Sequence, residues 1–188
     1  MSQSPYPAVA AGPPRPSLIL RPGQIALPPG MERYTIQGNG ALLIEVEPGD
    51  IITVRNVEGG QACELLAWDT SGTTDPGIFG EKSNSNAAGI KALLAEGDDS
   101  LASLRRGLAR RQVVLDQAKA LRVFGATTPA GTEQAFTVTR DGSMVIAAPG
   151  GPMLVDSHDT ATPLAVIVRR ATIRLKTKSQ LALSLIHI

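Results

Sequence analysis

The chain has 188 residues, room for one domain of ordinary size with a tail, and its 43% hydrophobic and 19% charged residues exclude a disordered polypeptide. Eighteen Lys and Arg against seventeen Asp and Glu leave a net charge of +1, so no strong field draws in nucleic acid or anionic lipid. One cysteine and two histidines exclude an intrachain disulfide framework and a Cys/His zinc cluster, while 19 glycines and 14 prolines predict many turns and disfavour long helical bundles.

Residues 1–16 hold five prolines among small side chains. Proline fixes φ and lacks a backbone donor, so this stretch is expected to be a poorly ordered arm outside the core. It has neither a basic n-region nor an apolar h-region, and the longest apolar runs, such as Leu164 to Val168, are far too short to span a bilayer. A cytoplasmic location with no membrane partner is the expectation.

From Ser17 short apolar runs alternate with turn chemistry: SLIL, QIAL and ERYTIQ are separated by Arg21-Pro22-Gly23 and Pro28-Pro29-Gly30. Leu42 to Val46 and Ile51 to Val57 read as strands joined by Glu47-Pro48-Gly49-Asp50, the clearest hairpin signal in the chain. Ala62 to Asp69 follows after Glu58-Gly59-Gly60 and would complete a three-strand meander, with Leu66 and Trp68 in its core.

The middle changes period. Ile90, Leu93 and Leu94 share one helical face between Asn86, a candidate N-cap, and Gly97, a candidate stop. Leu101, Leu104 and Leu108 form a second stripe behind Asp99 or Ser100, with Arg105, Arg106, Arg110 and Arg111 elsewhere on the helix as a solvated face. Gly107 limits this helix to about three turns. Strand signatures return in RVFG, AFTVTR, SMVIAA and LAVIVRRATIRL, and Asp141-Gly142 between two of them reads as a hairpin. The fold class is therefore mainly β: an antiparallel sandwich or barrel interrupted by a short two-helix insertion, over residues 17–175.

Few side chains suggest chemistry. Cys63 has no local base and reads as an ordinary buried thiol. Glu64 alternates with Ala62 and Leu66; on an inner barrel face its carboxylate would be costly unless paired or functional, whereas the opposite register turns it outward. Asp156-Ser157-His158-Asp159-Thr160 places two carboxylates around an imidazole, a pair suited to metal ligation or general-base work only with a third group, and equally a capped turn. Ala148-Pro149-Gly150-Gly151-Pro152 lacks the Gly-Lys-Ser/Thr ending of a phosphate-binding loop and reads as a turn.

Gly49 to Asp69, GDIITVRNVEGGQACELLAWD, resembles the opening signature of the urea-carboxylase-associated family, with Gly49, Asp50, Asn56, Gly59 or Gly60, Gln61 and Glu64 in the matching places. The wider set LRRGLARR, ALRVFGATTPAGTE, APGGPM and DTATPL is similar to the N-terminal region of proteins in which such a domain precedes a glycine-cleavage T-protein-like aminomethyltransferase. The resemblance implies a non-catalytic module serving small-ligand binding or interdomain packing, with Gln61, Glu64, His158 and Asp159 as ligand-binding candidates and no metal. It further implies tetrahydrofolate in a downstream domain, with that domain and a small polar metabolite as partners; the near-neutral charge and 3% aromatic content point to no nucleic acid. Two other readings stand beside it: a metal-assisted hydrolase of a urea- or guanidine-type compound using Glu64, His158 and Asp159, and a pure scaffold or oligomerisation domain. Ser184 to Ile188 resembles translated adapter read-through, so residues 176–188 are expected to be linker and artefact, His187 included, at the end of a truncated fragment.

Overall fold

Eight short strands form two sheets in a computed structural model that describes residues 27–95, 101–150 and 162–171. They are β1 (Met31–Ile36), β2 (Ala41–Val46), β3 (Ile51–Asn56), β4 (Cys63–Trp68), β5 (Leu121–Phe124), β6 (Glu133–Thr137), β7 (Gly142–Ala147) and β8 (Leu164–Arg169). One sheet has the order β1-β8-β3-β6 and the other β2-β7-β4-β5, with every pairing antiparallel. First pairs with last, second with seventh, third with sixth and fourth with fifth, which is the jelly-roll arrangement of two wound Greek keys. The mainly β sandwich with a helical insertion read from the sequence is the observed class.

The local pairings differ from expectation. The turn at Glu47 to Asp50 forms, closed by Asp50 N–H donating to the Glu47 carbonyl at 3.0 Å. Its flanking strands do not pair, because β2 bonds β7 and β3 bonds β6 and β8. The turn is a corner carrying the chain from one sheet to the other. Gly49 sits there at φ 87°, and a Cβ would fall 2.9 Å from that of Ala171. The meander is likewise replaced, since β4 bonds β5 and β7, and Asp141-Gly142 lies at a second crossing between β6 and β7. Turn residues reverse the chain equally well in either case; two apolar faces that must be buried against each other decide the partner.

Between the sheets Ile36, Ile52, Val54, Phe136, Leu164, Val166 and Val168 meet Ile44, Val46, Leu65, Ala67, Met144 and Ile146. The other face of the second sheet packs under the insertion: Leu66, Trp68, Val145 and Ala147 meet Ile90 and Leu93 of α1 (Ala88–Ala95) and Leu104 and Leu108 of α2 (Ala102–Arg110). β4 is consequently buried along its whole length, and its alternation separates two cores rather than core from water. The nine-residue α2 is shorter than the three turns expected, and Leu101 at its N-cap makes no side-chain capping bond. The cap candidates Asp99 and Ser100 and the stop Gly97 lie outside the described residues, as do the arm, SLIL and the tail.

A charged latch closes one end of the roll. Asp50, 1% exposed, accepts from Arg170 Nη1 at 2.8 Å, from Ala171 N–H at 2.9 Å and from Glu47 N–H at 3.2 Å. Arg170 also grips Glu32 through Nε and Nη2 and the Glu45 carbonyl through Nη1. Burial works against its charge, but the hydrogen bonds with Glu32 and Asp50 outweigh that and hold the guanidinium above its ordinary value. Tyr34 donates to Glu32, and burial together with that carboxylate pushes its hydroxyl up to about 12. Among the described residues, no helix is long and apolar enough to cross a membrane.

Candidate functional site

β4 connects the two places where polar groups gather. At its start a register shift between Cys63 and Glu64 separates their roles. Cys63 turns into the inter-sheet core, fully buried, and burial with the neighbouring Glu64 charge pushes its thiol well above the ordinary range. Glu64 turns the other way, toward the helices. It therefore lies neither inside the roll nor in water, which corrects both registers weighed from the sequence.

Glu64 is 2% exposed, and each of its oxygens is engaged: Ser85 Oγ–H donates to Oε1 at 2.9 Å and the Ile90 amide to Oε2 at 2.9 Å. The second bond comes from the first turn of α1, whose amides lack intrahelical acceptors and favour a negative charge. Ser85 in turn accepts from Ala87 N–H at 3.2 Å. A carboxylate in the second sheet thus fastens the start of the insertion.

Gln61, also buried, is tied into backbone on three sides. Its Nε2 donates to the carbonyls of Ala62 and Pro149, and its Oε1 accepts from Thr162 N–H at 2.8 Å. Asn56 supports it by donating to the Gln61 carbonyl and accepting from Gly59 N–H. Gln61 and Glu64 are thus neighbours near Pro149, with their polar atoms occupied by protein groups. His158 and Asp159 lie outside the described residues, so their convergence with Glu64 is not part of the described geometry. Among the described residues no three His, Cys, Asp or Glu side chains stand where they could share a metal ion.

At the other end of β4 lies an open cleft of about 580 Å³. Its floor is the ends of three strands, with Val46 opposite Gly142 and Trp68 opposite Ser143 in the ladders. Glu45, Glu47, Asp69 and Asp141 line it, with Arg110 from the last turn of α2 and Arg111 from the residue that follows it. Arg111 pairs with Glu45 at 3.4 Å. Asp69 organises the adjoining turn: Ser71 Oγ–H, Ser71 N–H and Thr73 N–H all donate to its Oδ1, and the Ser71 bonds hold its carboxyl below the usual range. Gly72 at φ 83° lets this turn close on α2, because a Cβ there would stand 2.5 Å from the Arg111 carbonyl oxygen. The sequence reading left these residues to a strand end, a turn and a solvated face; only the Asp-Thr-Ser-Gly turn beside a helix-terminal Arg pair hinted that they meet.

No protein-family model matches the chain. It is 45% identical over 181 residues to a protein of Ruegeria pomeroyi named trimethylamine-oxide aldolase, a match covering 96% of this chain and 23% of that protein. The chain therefore spans under a quarter of the curated relative's length. A crystal structure of a DUF1989 family protein from Silicibacter pomeroyi is 17% identical, with 89% of each chain covered and a TM-score of 0.45. A solution structure of a de novo designed double-stranded β-helix is 8% identical over 74% of this chain and 95% of that one, with a TM-score of 0.27. Neither of these two likenesses is close enough to carry an argument. The Ruegeria relative corrects the functional expectation: its name denotes an aldolase, not an aminomethyltransferase, a urea-carboxylase-associated module or a hydrolase. Those readings, and the scaffold with them, are set aside.

Proposed function

We propose that this chain is the jelly-roll part of an enzyme that cleaves trimethylamine oxide in an aldolase-type reaction. The carrying observation is the 45% identity maintained over 96% of the chain. The matched region takes in both cores and the insertion rather than one motif. Aldolase-type cleavage of the amine oxide balances without an outside oxidant: one methyl C–N bond and the N–O bond break, a carbon–oxygen double bond forms, and a methyl hydrogen ends on nitrogen. The products are dimethylamine and formaldehyde.

The described residues support a binding role in this reaction, and none is assigned to bond breaking. Glu64 and Gln61 are engaged in holding backbone, whereas the cleft at the far end of β4 offers open space with charges of both signs. A small polar metabolite as ligand, the remaining length of the protein as partner and a cytoplasmic location belong to the same proposal. Tetrahydrofolate is proposed only for segments outside this chain, and no described residue is assigned to it.

The test is turnover by the full-length protein. Incubated with trimethylamine oxide, it is expected to release formaldehyde, measured colorimetrically, and dimethylamine, measured by proton NMR, in equal amounts. No formaldehyde above a boiled control refutes the assignment.

A further inference from the structure

The two sheets differ in what covers their outer faces. α1 and α2 pack over the β2-β7-β4-β5 sheet, whereas neither buried cluster includes the outward side chains of the β1-β8-β3-β6 sheet. We infer that this second face seats a carboxylate-rimmed, apolar-centred surface from the part of the full-length protein outside these 188 residues, an assignment that rests on the chain being one part of a longer enzyme and adds where the remainder docks.

The ladders turn three residues outward from each of the four strands, and the middle of the face is Ile51, Thr53, Ala165 and Ile167, all partly exposed. Short and β-branched side chains have little rotamer freedom to lose when they are covered. The charge around them is one-sided. Three arginines, Arg33, Arg55 and Arg169, share the face with one carboxylate, Glu133, which pairs with Arg55 at 3.7 Å. Arg33 and Arg169 lie diagonally across the β1–β8 ladder, both exposed and without a carboxylate partner among the described residues. Neighbouring guanidiniums repel unless carboxylates meet them, and each can take a carboxylate through two parallel hydrogen bonds.

Charge and area select the occupant. Residues 1–30 hold Arg15 and Arg21 but no acidic residue, and residues 172–188 hold Arg174, Lys176 and Lys178 but no acidic residue, so neither flanking segment supplies the carboxylates. A second copy would set the same arginines against each other. Four strands with three outward residues each give twelve, about half of the roughly 20–30 that each side of a stable complex uses. A tethered partner needs less area, because linkage holds it at an effective concentration on the order of millimolar. The Ruegeria relative has more than three quarters of its length outside the matched region, and both ends of the roll leave from one end of this sheet, where Arg170 N–H donates to the Gly30 carbonyl at 2.7 Å.

Photo-cross-linking of the full-length protein tests the contact. A benzophenone side chain replaces Thr35, exposed on β1 and two residues from Arg33, with Thr137 on the opposite edge strand as a second position for the probe. Illumination is expected to join it to peptides of the same molecule outside residues 1–188, mapped by mass spectrometry on a mixture of heavy- and light-isotope protein. The double variant Arg33→Glu/Arg169→Glu breaks no described ion pair and is expected to lose that cross-link with its circular dichroism unchanged. Arg33→Gln/Arg169→Gln serves if the reversed pair does not fold. Cross-links confined to residues 1–30 or 172–188, cross-links between molecules, or none from either position overturn the inference. An undiminished cross-link in the folded arginine variant does so too. Formaldehyde release is read separately: the mapped contact without turnover refutes the aldolase reading and keeps the docking face, and turnover without the contact does the reverse.

Discussion

Replacing Glu64 separates fastening from chemistry, because its two bonds differ in what they tolerate. The Ile90 amide can only donate, whereas the Ser85 hydroxyl can donate or accept. In Glu64→Gln the amide oxygen can face Ile90 while the amide nitrogen donates to Ser85 Oγ, so both contacts survive and the main loss is the charge at the start of α1, about 1 kcal/mol. Glu64→Leu fills similar space and accepts nothing, leaving the buried Ile90 N–H without a partner, and should cost about 2–3 kcal/mol. Glu64→Ala adds a cavity and should cost about 3–4 kcal/mol, while relief from burying a carboxylate offsets part of both losses. Urea unfolding followed by circular dichroism reads the series. With m of roughly 2 kcal/mol/M, the midpoint should fall by about 0.5 M for Gln and about 1.5–2 M for Ala. Amide exchange in the Leu and Ala variants should rise first in residues 88–95, before the sheets open. The reasoning is refuted if Gln is as damaging as Ala, or if Ala costs under about 0.5 kcal/mol. A Gln variant of full stability whose full-length form releases no formaldehyde would return Glu64 to a chemical role.

Other consequences follow from the same contacts. Asp50→Ala removes three acceptor contacts from the latch while Arg170 keeps Glu32, so a loss of about 2–4 kcal/mol is expected in the same assay; coupling to Arg170→Met near zero in a double-mutant cycle would show that the pair is not a unit. The Arg140 guanidinium, followed by the Gly77 amide, holds the Asp75 carboxyl below its ordinary 3.8. Its contribution is therefore present above that value and fades as pH falls through the lower folded value. Asp75→Asn should flatten the acid limb of a plot of Tm against pH, and an unchanged limb counts against the assignment. Cys63, fully buried with its thiol raised, should resist an aromatic disulfide reagent in the native state and react with one equivalent in urea. Native modification within minutes would contradict its placement.

Much of the architecture can be read along the chain because it is local. The period-2 runs at Leu42 to Val46 and Ile51 to Asn56, the helical stripes through Ile90 and Leu104, and the Pro48-Gly49 turn all carry their own steric or hydrophobic reason. What one stretch cannot specify is its partner. The turn at Pro48-Gly49 reverses the chain whether β3 pairs with β2 or crosses to the opposite sheet, and alternation is identical in both cases. Burial of both faces of β4 made the choice, and it also settled Glu64, whose face is invisible when neither side of a strand meets water. The cleft is further still from sequence reasoning: Glu47, Asp69, Arg110 and Asp141 come from four separated segments, and their juxtaposition exists only once β2, β4 and β7 align their ends beneath α2. Short-range geometry and hydrophobic period wrote the elements, while long-range burial assembled them and so placed the polar groups.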